Sequence, residues 1–247
     1  MLPLLIFLSL LPIPGGGSPP PAPADPAAAW PAATGSIASS TAEAFARARA
    51  LEDAHQFPEA LQAFMDLLRN DPENPEIHYQ CALLLGIQKP DDPAAVLHLE
   101  TALQKSPDNE TYANALAEAR LRLDLDEEAL AVYRDLRDRH PDQPRYAYQA
   151  AAIYAKQRNL PAALQELDAL LTKQGNDPDG LALKGRILRL TGDSQGAEPL
   201  LRKALEQRPG QLTALIELAK IEAQRGEWPE AETKLQAALA VNPFIPE

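Results

Sequence analysis

With a single cysteine, Cys81, the chain can form no intramolecular disulfide and no thiolate metal cage, and cysteine pairing gives no clue to compartment. Aromatic residues are only 5% of its 247 positions and β-branched residues are sparse. A strand-rich fold draws on both and is therefore disfavoured. Positive charge is short as well: Lys and Arg total 23 against 35 Asp and Glu, a formal net charge of −12. Nucleic acid and anionic lipid repel such a chain unless a local basic patch overrides the net field, so no nucleic-acid partner is expected. The apolar run at 2–13 is shorter than the roughly 20 residues a membrane-spanning helix needs, and no integral membrane span is expected. What the chain does have is Ala and Leu, which favour helix almost everywhere after residue 41.

The first 40 residues read as an address and a tether. Residues 1–24 hold the apolar run and a small-x-small site at Ala22-Pro23-Ala24, which suits a signal peptide cleaved before Asp25. The tract that follows contains Pro26 and Pro31, and the stretch 25–40 is rich in Pro, Ala and Ser, the composition of a flexible linker. An exported protein, periplasmic or otherwise extracytoplasmic, is the expectation. One feature departs from it: no Lys or Arg precedes the apolar run. The alternative is a cytoplasmic protein with a misassigned start. No cysteine follows the run, so nothing supports a lipid anchor.

Self-similarity dominates the remainder. Ala60, Ala95, Ala129, Ala163, Ala197 and Ala231 recur at spacings of 35, 34, 34, 34 and 34 residues. Four residues after each stands Phe64, Leu99, Tyr133, Leu167, Leu201 or Leu235, and three further on Leu67, Ala102, Leu136, Leu170, Ala204 or Ala238. Offsets of four and seven mark one face of a helix. About twelve residues earlier a second small residue, Ala48, Ala82, Ala117, Ala151, Gly185 or Ala219, sits on a separate helix, where small side chains let two helices approach. Each unit closes near a proline: Pro72, Pro107, Pro141, Pro178, Pro209 and Pro243. In the fourth unit that proline comes three residues late, so its loop is expected to be distinct. Pro58, Pro93, Pro161 and Pro229 belong in the first turn of a second helix, where a missing N–H costs nothing. Asp92, Asp126 and Ser194 are the matching N-cap candidates.

A 34-residue helix-turn-helix unit with these small, bulky and closing positions resembles the tetratricopeptide repeat family. The resemblance covers six units at 41–74, 75–109, 110–143, 144–177, 178–211 and 212–245. The bulky aromatic often found early in the first helix is replaced by Ala44, His78, Ala113, Ala147, Leu181 and Leu215. The resemblance implies an all-α, right-handed α-solenoid that serves as a protein-interaction scaffold or adaptor, in the cell envelope or, on the alternative start, in the cytoplasm. Stability must come from stacking, each first helix on the second helix before it, because one unit buries too little surface to fold alone. The last unit carries no extra helix to cover it. Either a partner covers it, or a second copy does and makes a homodimer, or Thr233, Lys234 and Gln236 keep it polar enough.

Nothing in the sequence supports catalysis, a cofactor or a metal. His55, His78, His98 and His140 include no pair three to five residues apart, the spacing of a helical metal site, and read as structural or surface residues. The acidic stretches at 91–92 and 126–128 read as solvated helix starts, and 192–196 as an inter-helix turn because it lacks the ending of a phosphate loop. Cys81 reads as a packed small hydrophobe.

In the family the first helices line a concave groove, so the resemblance implies that their unpacked face binds the ligand. In the fourth unit Ala147, Ala150, Ala151 and Tyr154 form the packing stripe, leaving Arg145, Tyr148, Gln149, Ala152 and Lys156 beside it. The same phase selects Tyr79 and Gln80, then Asn114, Glu118 and Arg122, then Ala182, Arg186 and Arg189, then Ile216, Glu217 and Lys220. The candidate groove set is therefore Tyr79, Asn114, Arg122, Arg145, Tyr148, Lys156, Arg186, Arg189 and Lys220. Its cations point to an acidic peptide segment or C-terminal carboxylate as partner, with Tyr covering apolar side chains. The competing reading is that these are ordinary solvated helix residues with local acidic partners. Some family members hold chaperone C-termini in a clamp of Lys, Arg and Asn. Phe45, Arg49, Gln80, Thr111 and Ala115 stand at the corresponding faces here, so no chaperone-cofactor role is implied.

Overall fold

The computed structural model of the protein describes residues 37–243, which leaves 1–36 and 244–247, with the signal segment and most of the linker, outside the described residues. Described residues form twelve α-helices and no strand. They divide into two compact units, one ending at Asn70 and one beginning at Asp71.

In the first unit α1 (Ile37–Asp53) packs on α2 (Phe57–Leu68). Helix α1 begins inside the stretch assigned to the linker: with no Gly or Pro after Gly35, nothing in residues 37–40 stops the Ala-rich run from extending backwards. Ala48 and Ala60 are fully buried where the two helices cross, and Phe45 meets Phe64 edge to face at 5.3 Å.

The second unit stacks five helix pairs: α3 (Pro75–Gln88) with α4 (Pro93–Lys105), α5 (Glu110–Arg122) with α6 (Asp126–Arg139), α7 (Pro144–Lys156) with α8 (Leu160–Lys173), α9 (Pro178–Leu190) with α10 (Ser194–Gln207), and α11 (Leu212–Arg225) with α12 (Trp228–Val241). Each first helix from α5 onward also packs on the second helix before it, and α9 touches both α7 and α11. The unit is thus an α-solenoid with first helices side by side along one face. Its core is the periodic set read from the sequence: Ala95, Ala129, Ala163, Ala197 and Ala231 are at most 3% exposed, and Leu99, Tyr133, Leu167 and Leu201 at most 2%. Small residues matter where backbones meet. A Cβ on Gly185 would lie 2.7 Å from Leu201 Cγ, which leaves even alanine too large at that crossing unless Leu201 moves.

The loops between pairs are one repeated turn, which corrects the reading of the fourth closing proline. Asn74, Asn109, Gln143, Asp177 and Gln211 each donate a backbone N–H to the carbonyl three residues back, from 71 to 208 in register. Proline follows that first residue at Pro72, Pro107, Pro141 and Pro209, but Gly175 takes the position in the fourth loop. Pro178 is instead the first residue of α9, equivalent to Pro75 and Pro144 at the starts of α3 and α7. That loop is ordinary in length. The fifth residue of each turn opens a helix, and Asn74, Asn109, Asp177 and Gln211 cap it by accepting N–H bonds with their side chains.

Within five of the six pairs the turn is made by a left-handed residue, His55, Asp124, Arg158, Gly192 or Gly226, and the turn between α3 and α4 has none. The residue after it donates back across the helix end, as in Asn159 to the Tyr154 carbonyl at 2.9 Å and Asp193 to Leu188 at 2.9 Å. Of the expected N-caps of second helices, Asp92 does accept from Ala94 N. Asp126 and Ser194 do not cap; they are first residues of their helices, one position late, and Asp193 caps α10 instead. Only glycine holds the left-handed turn without strain, and Arg158 has φ 62°. Arg158→Gly is therefore expected to stabilise the protein by about 1 kcal/mol, read as a rise in thermal midpoint. A midpoint that falls would contradict it.

Candidate functional site

The nine candidate residues do lie on first helices, but the structure gives most of the cations partners within the chain. Arg145 bonds Glu110 and donates to the Tyr146 hydroxyl at 2.6 Å, its guanidinium 4.7 Å over the Tyr146 ring. Burial alone would raise the Glu110 carboxyl, but bonds from Tyr146 and Arg145 outweigh it and hold the pKa below the usual carboxylate range. Lys156 donates to Asp124 at 2.8 Å and Asp126 at 2.7 Å, bracing the turn between α5 and α6. Arg189 and Lys220 converge on Glu217, which is buried. Arg122 Nε donates to the Pro90 carbonyl at 3.1 Å, and Asn114 to Glu118 at 2.8 Å. Three residues of the wider stripe, Gln80, Ala182 and Glu217, are buried instead of facing solvent.

These counter-ions were missed by reading helices one at a time, yet the sequence carries a signal for them. Glu76 and Tyr112, like Glu110 and Tyr146, stand 36 residues apart, and each tyrosine hydroxyl donates to the earlier glutamate. A carboxylate in one unit thus ties the next unit to it. Asp179 likewise accepts from Arg208 and Gln211, at 2.8 and 3.2 Å, and so ties α9 to the loop that opens α11.

Tyr79, Tyr148 and Arg186 behave differently. Tyr79 is half-buried, its ring 5.0 Å from that of Tyr112 and tilted 36° to it. Tyr148 on α7 is half-buried with its phenol pushed up to about 12, first by burial and then by Asp179, against which Arg186 pulls down. Arg186 on α9 makes no hydrogen bond or ion pair to another described residue and is half-exposed. An unengaged guanidinium beside a phenol ring, on adjoining helices, is the part of the face equipped to take an outside carboxylate.

Elsewhere, two histidines 20 residues apart in sequence come together. His78 and His98 meet across α3 and α4 with Nδ1 atoms 2.8 Å apart, and His78 Nε2 lies 2.9 Å from the Pro72 carbonyl. A carbonyl only accepts, so His78 carries its proton on Nε2 and His98 donates from Nδ1 to His78 Nδ1. Burial, then the neighbouring His78, lowers the His98 pKa. Cys81 is fully buried and its thiol is pushed up to about 12 by burial, the state of an inert packed side chain. Among the described residues no three His, Cys, Asp or Glu side chains are placed to hold a metal ion. No described helix is long and apolar enough to cross a membrane.

A tetratricopeptide repeat family model matches residues 45–110, 91–144 and 114–180, and a second matches 188–245. The chain belongs to the tetratricopeptide repeat family. Solved structures agree in fold. MamA from Desulfovibrio magneticus RS-1, residues 41 to its end, is 17% identical with a TM-score of 0.61, over 72% of this chain and 99% of that one. YrrB, described as a TPR protein with an unusual peptide-binding site, is 17% identical with a TM-score of 0.59, over 74% and 97%. The C-terminal part of a TPR repeat-containing protein from Cytophaga hutchinsonii is 19% identical with a TM-score of 0.62, over 80% and 78%.

Proposed function

We propose that this protein is an interaction scaffold that holds an extended acidic peptide segment, or a C-terminal carboxylate, against its first helices. The observation that carries the reading is the pair Tyr148 and Arg186, a half-buried aromatic ring beside a guanidinium that forms no ion pair with a described carboxylate. The peptide-binding site ascribed to YrrB supports the same use of a similar fold. Arg145, Lys156, Arg189 and Lys220 contribute less to binding than their number suggests, because each already serves a carboxylate of this chain.

Residues 1–24 favour an exported scaffold assembling envelope components, and the cytoplasmic adaptor is the second reading because the apolar run lacks a basic start. N-terminal sequencing of the mature protein separates them: cleavage near Ala24 supports export, and an intact Met1 supports the adaptor. For the groove, Arg186→Glu should weaken binding of an acidic C-terminal peptide by about tenfold or more, the worth of a charge-assisted bond turned to repulsion. Calorimetric titration reads it. Unchanged affinity, with the variant's helicity intact, would sink the acidic-peptide reading while leaving the fold untouched.

A further inference from the structure

Two junctions between helix pairs are filled by three side chains in register: one near the end of a second helix, one in the following first helix, and one in the second helix after that. Between α4, α5 and α6 they are Leu103, Ala113 and Val132, in one apolar cluster. Between α8, α9 and α10 they are Leu171, Leu181 and Leu200, again in one cluster. Between α6, α7 and α8 the same positions hold Arg137, Ala147 and Glu166. The centre is alanine, as at the α4 to α6 junction, where the α8 to α10 junction has leucine, but the two apolar flanks have become an ion pair in which Arg137 Nη1 donates to both Glu166 carboxylate oxygens at 2.5 and 2.6 Å. The result is a cavity of about 330 Å³, walled by Pro141, Pro144, Ala147 and Leu170. None of the groove candidates lines it.

We infer that this cavity receives a neutral aromatic side chain, an indole or a phenol, presented by a partner protein. Its volume is at the lower end for ligand sites, roughly 300 Å³ and upward, and its rim is open, with Asp138 and Lys173 exposed. An open site of that size takes a side chain anchored elsewhere in preference to a whole free ligand, which pockets enclose. Charge sets the chemistry. An anion finds the donor edges of Arg137 occupied by Glu166 and by Asp138, at 2.7 Å from Nη2, and would face both carboxylates. A cation would face Arg137 and Lys173. A neutral ring meets neither repulsion, packs on the prolines and alanine, stacks on the guanidinium face and offers an N–H or O–H to Glu166.

The test uses the full chain and two neutral probes, N-acetyl-tryptophanamide and N-acetyl-leucinamide, followed by amide chemical shifts. Millimolar binding of the indole probe is expected, with shifts confined to residues around Ala147, Ala169 and Leu170, and weaker binding of the leucine probe. Ala147→Leu places in the cavity the leucine that the α8 to α10 junction carries at this position and should lower the indole affinity by about tenfold or more; should that variant not fold, Ala169→Leu narrows the same space from the opposite wall. Arg186→Glu should leave probe binding unchanged, so failure here and failure of the groove reading are separate results. Absence of localised shifts, a leucine probe that binds as well, or indole binding that survives the filling substitution would overturn the inference.

Discussion

Leu201→Ala is expected to destabilise the protein by about 3 kcal/mol, while Leu235→Ala, the same register position one unit later, should lose only about 1 kcal/mol. Leu201 is fully buried, lying over Gly185 on α9 and within the cluster that includes Ala214 and Leu218 on α11. Truncating it removes packing from both its own pair and the next, and a close-packed interior relaxes only in part to fill the gap. Leu235 is 46% exposed because no described helix follows α12 to cover it. The two substitutions are chemically identical, so their difference measures stacking alone. In a quasi-linear array the damage should also be local: hydrogen exchange in Leu201→Ala should rise most in α9 to α12 and least in α3 and α4. Equal losses for the two variants, or exchange that rises uniformly, would contradict stacking between neighbours as the source of stability.

The fold was legible because it is written in repetition. One alanine recurring in phase fixes the crossing of each helix pair, and bulky residues four positions on must then be core, as Phe64, Tyr133 and Leu167 are. Prolines were harder, because the same residue ends one helix and begins another. Pro178 could be placed only by aligning its backbone with Pro75 and Pro144, after which Gly175 falls in the closing position. Cap positions were off by one residue at Asp126 and Ser194 for a related reason: the left-handed turn before them, not the cap side chain, sets where the second helix starts.

The candidate site was legible only as a surface. Periodicity says which side of a helix faces away from its packing partner, and it located Tyr148 and Arg186. It says nothing about which charges meet across units, because those pairs join residues roughly one repeat apart on different helices. Glu110 lies 35 residues before Arg145, and Glu217 lies 28 after Arg189. Reading the repeat as a vertical column, with positions compared between adjacent units, brings out Glu76 with Tyr112 and Glu110 with Tyr146. The same column comparison exposes Arg137 and Glu166, which line the cavity at positions that are apolar in the junctions on either side. His78 and His98 escaped notice because they meet between two helices of one unit, 20 residues apart.

Arg189 offers the sharpest distinction between a residue that binds and one that supports. Its side chain is 13% exposed and that of its partner Glu217 only 4%, so the pair is largely withdrawn from water. Arg189→Leu would leave the Glu217 carboxylate buried with Lys220 alone, itself half exposed, to compensate it. Breaking such a pair from one side is expected to destabilise the protein by about 3 kcal/mol, measured by denaturant unfolding. Removing both charges, Arg189→Leu with Glu217→Leu, should recover most of that loss, since two apolar side chains in the same space bear no desolvation penalty. The recovered double variant then reports on function free of instability. If Arg189 acts as a strut for the α9 and α11 face, the double variant keeps its affinity for an acidic peptide while Arg186→Glu does not. A double variant that regains stability yet loses binding would move Arg189 into the contact surface and make Glu217 the counter-ion that the ligand displaces.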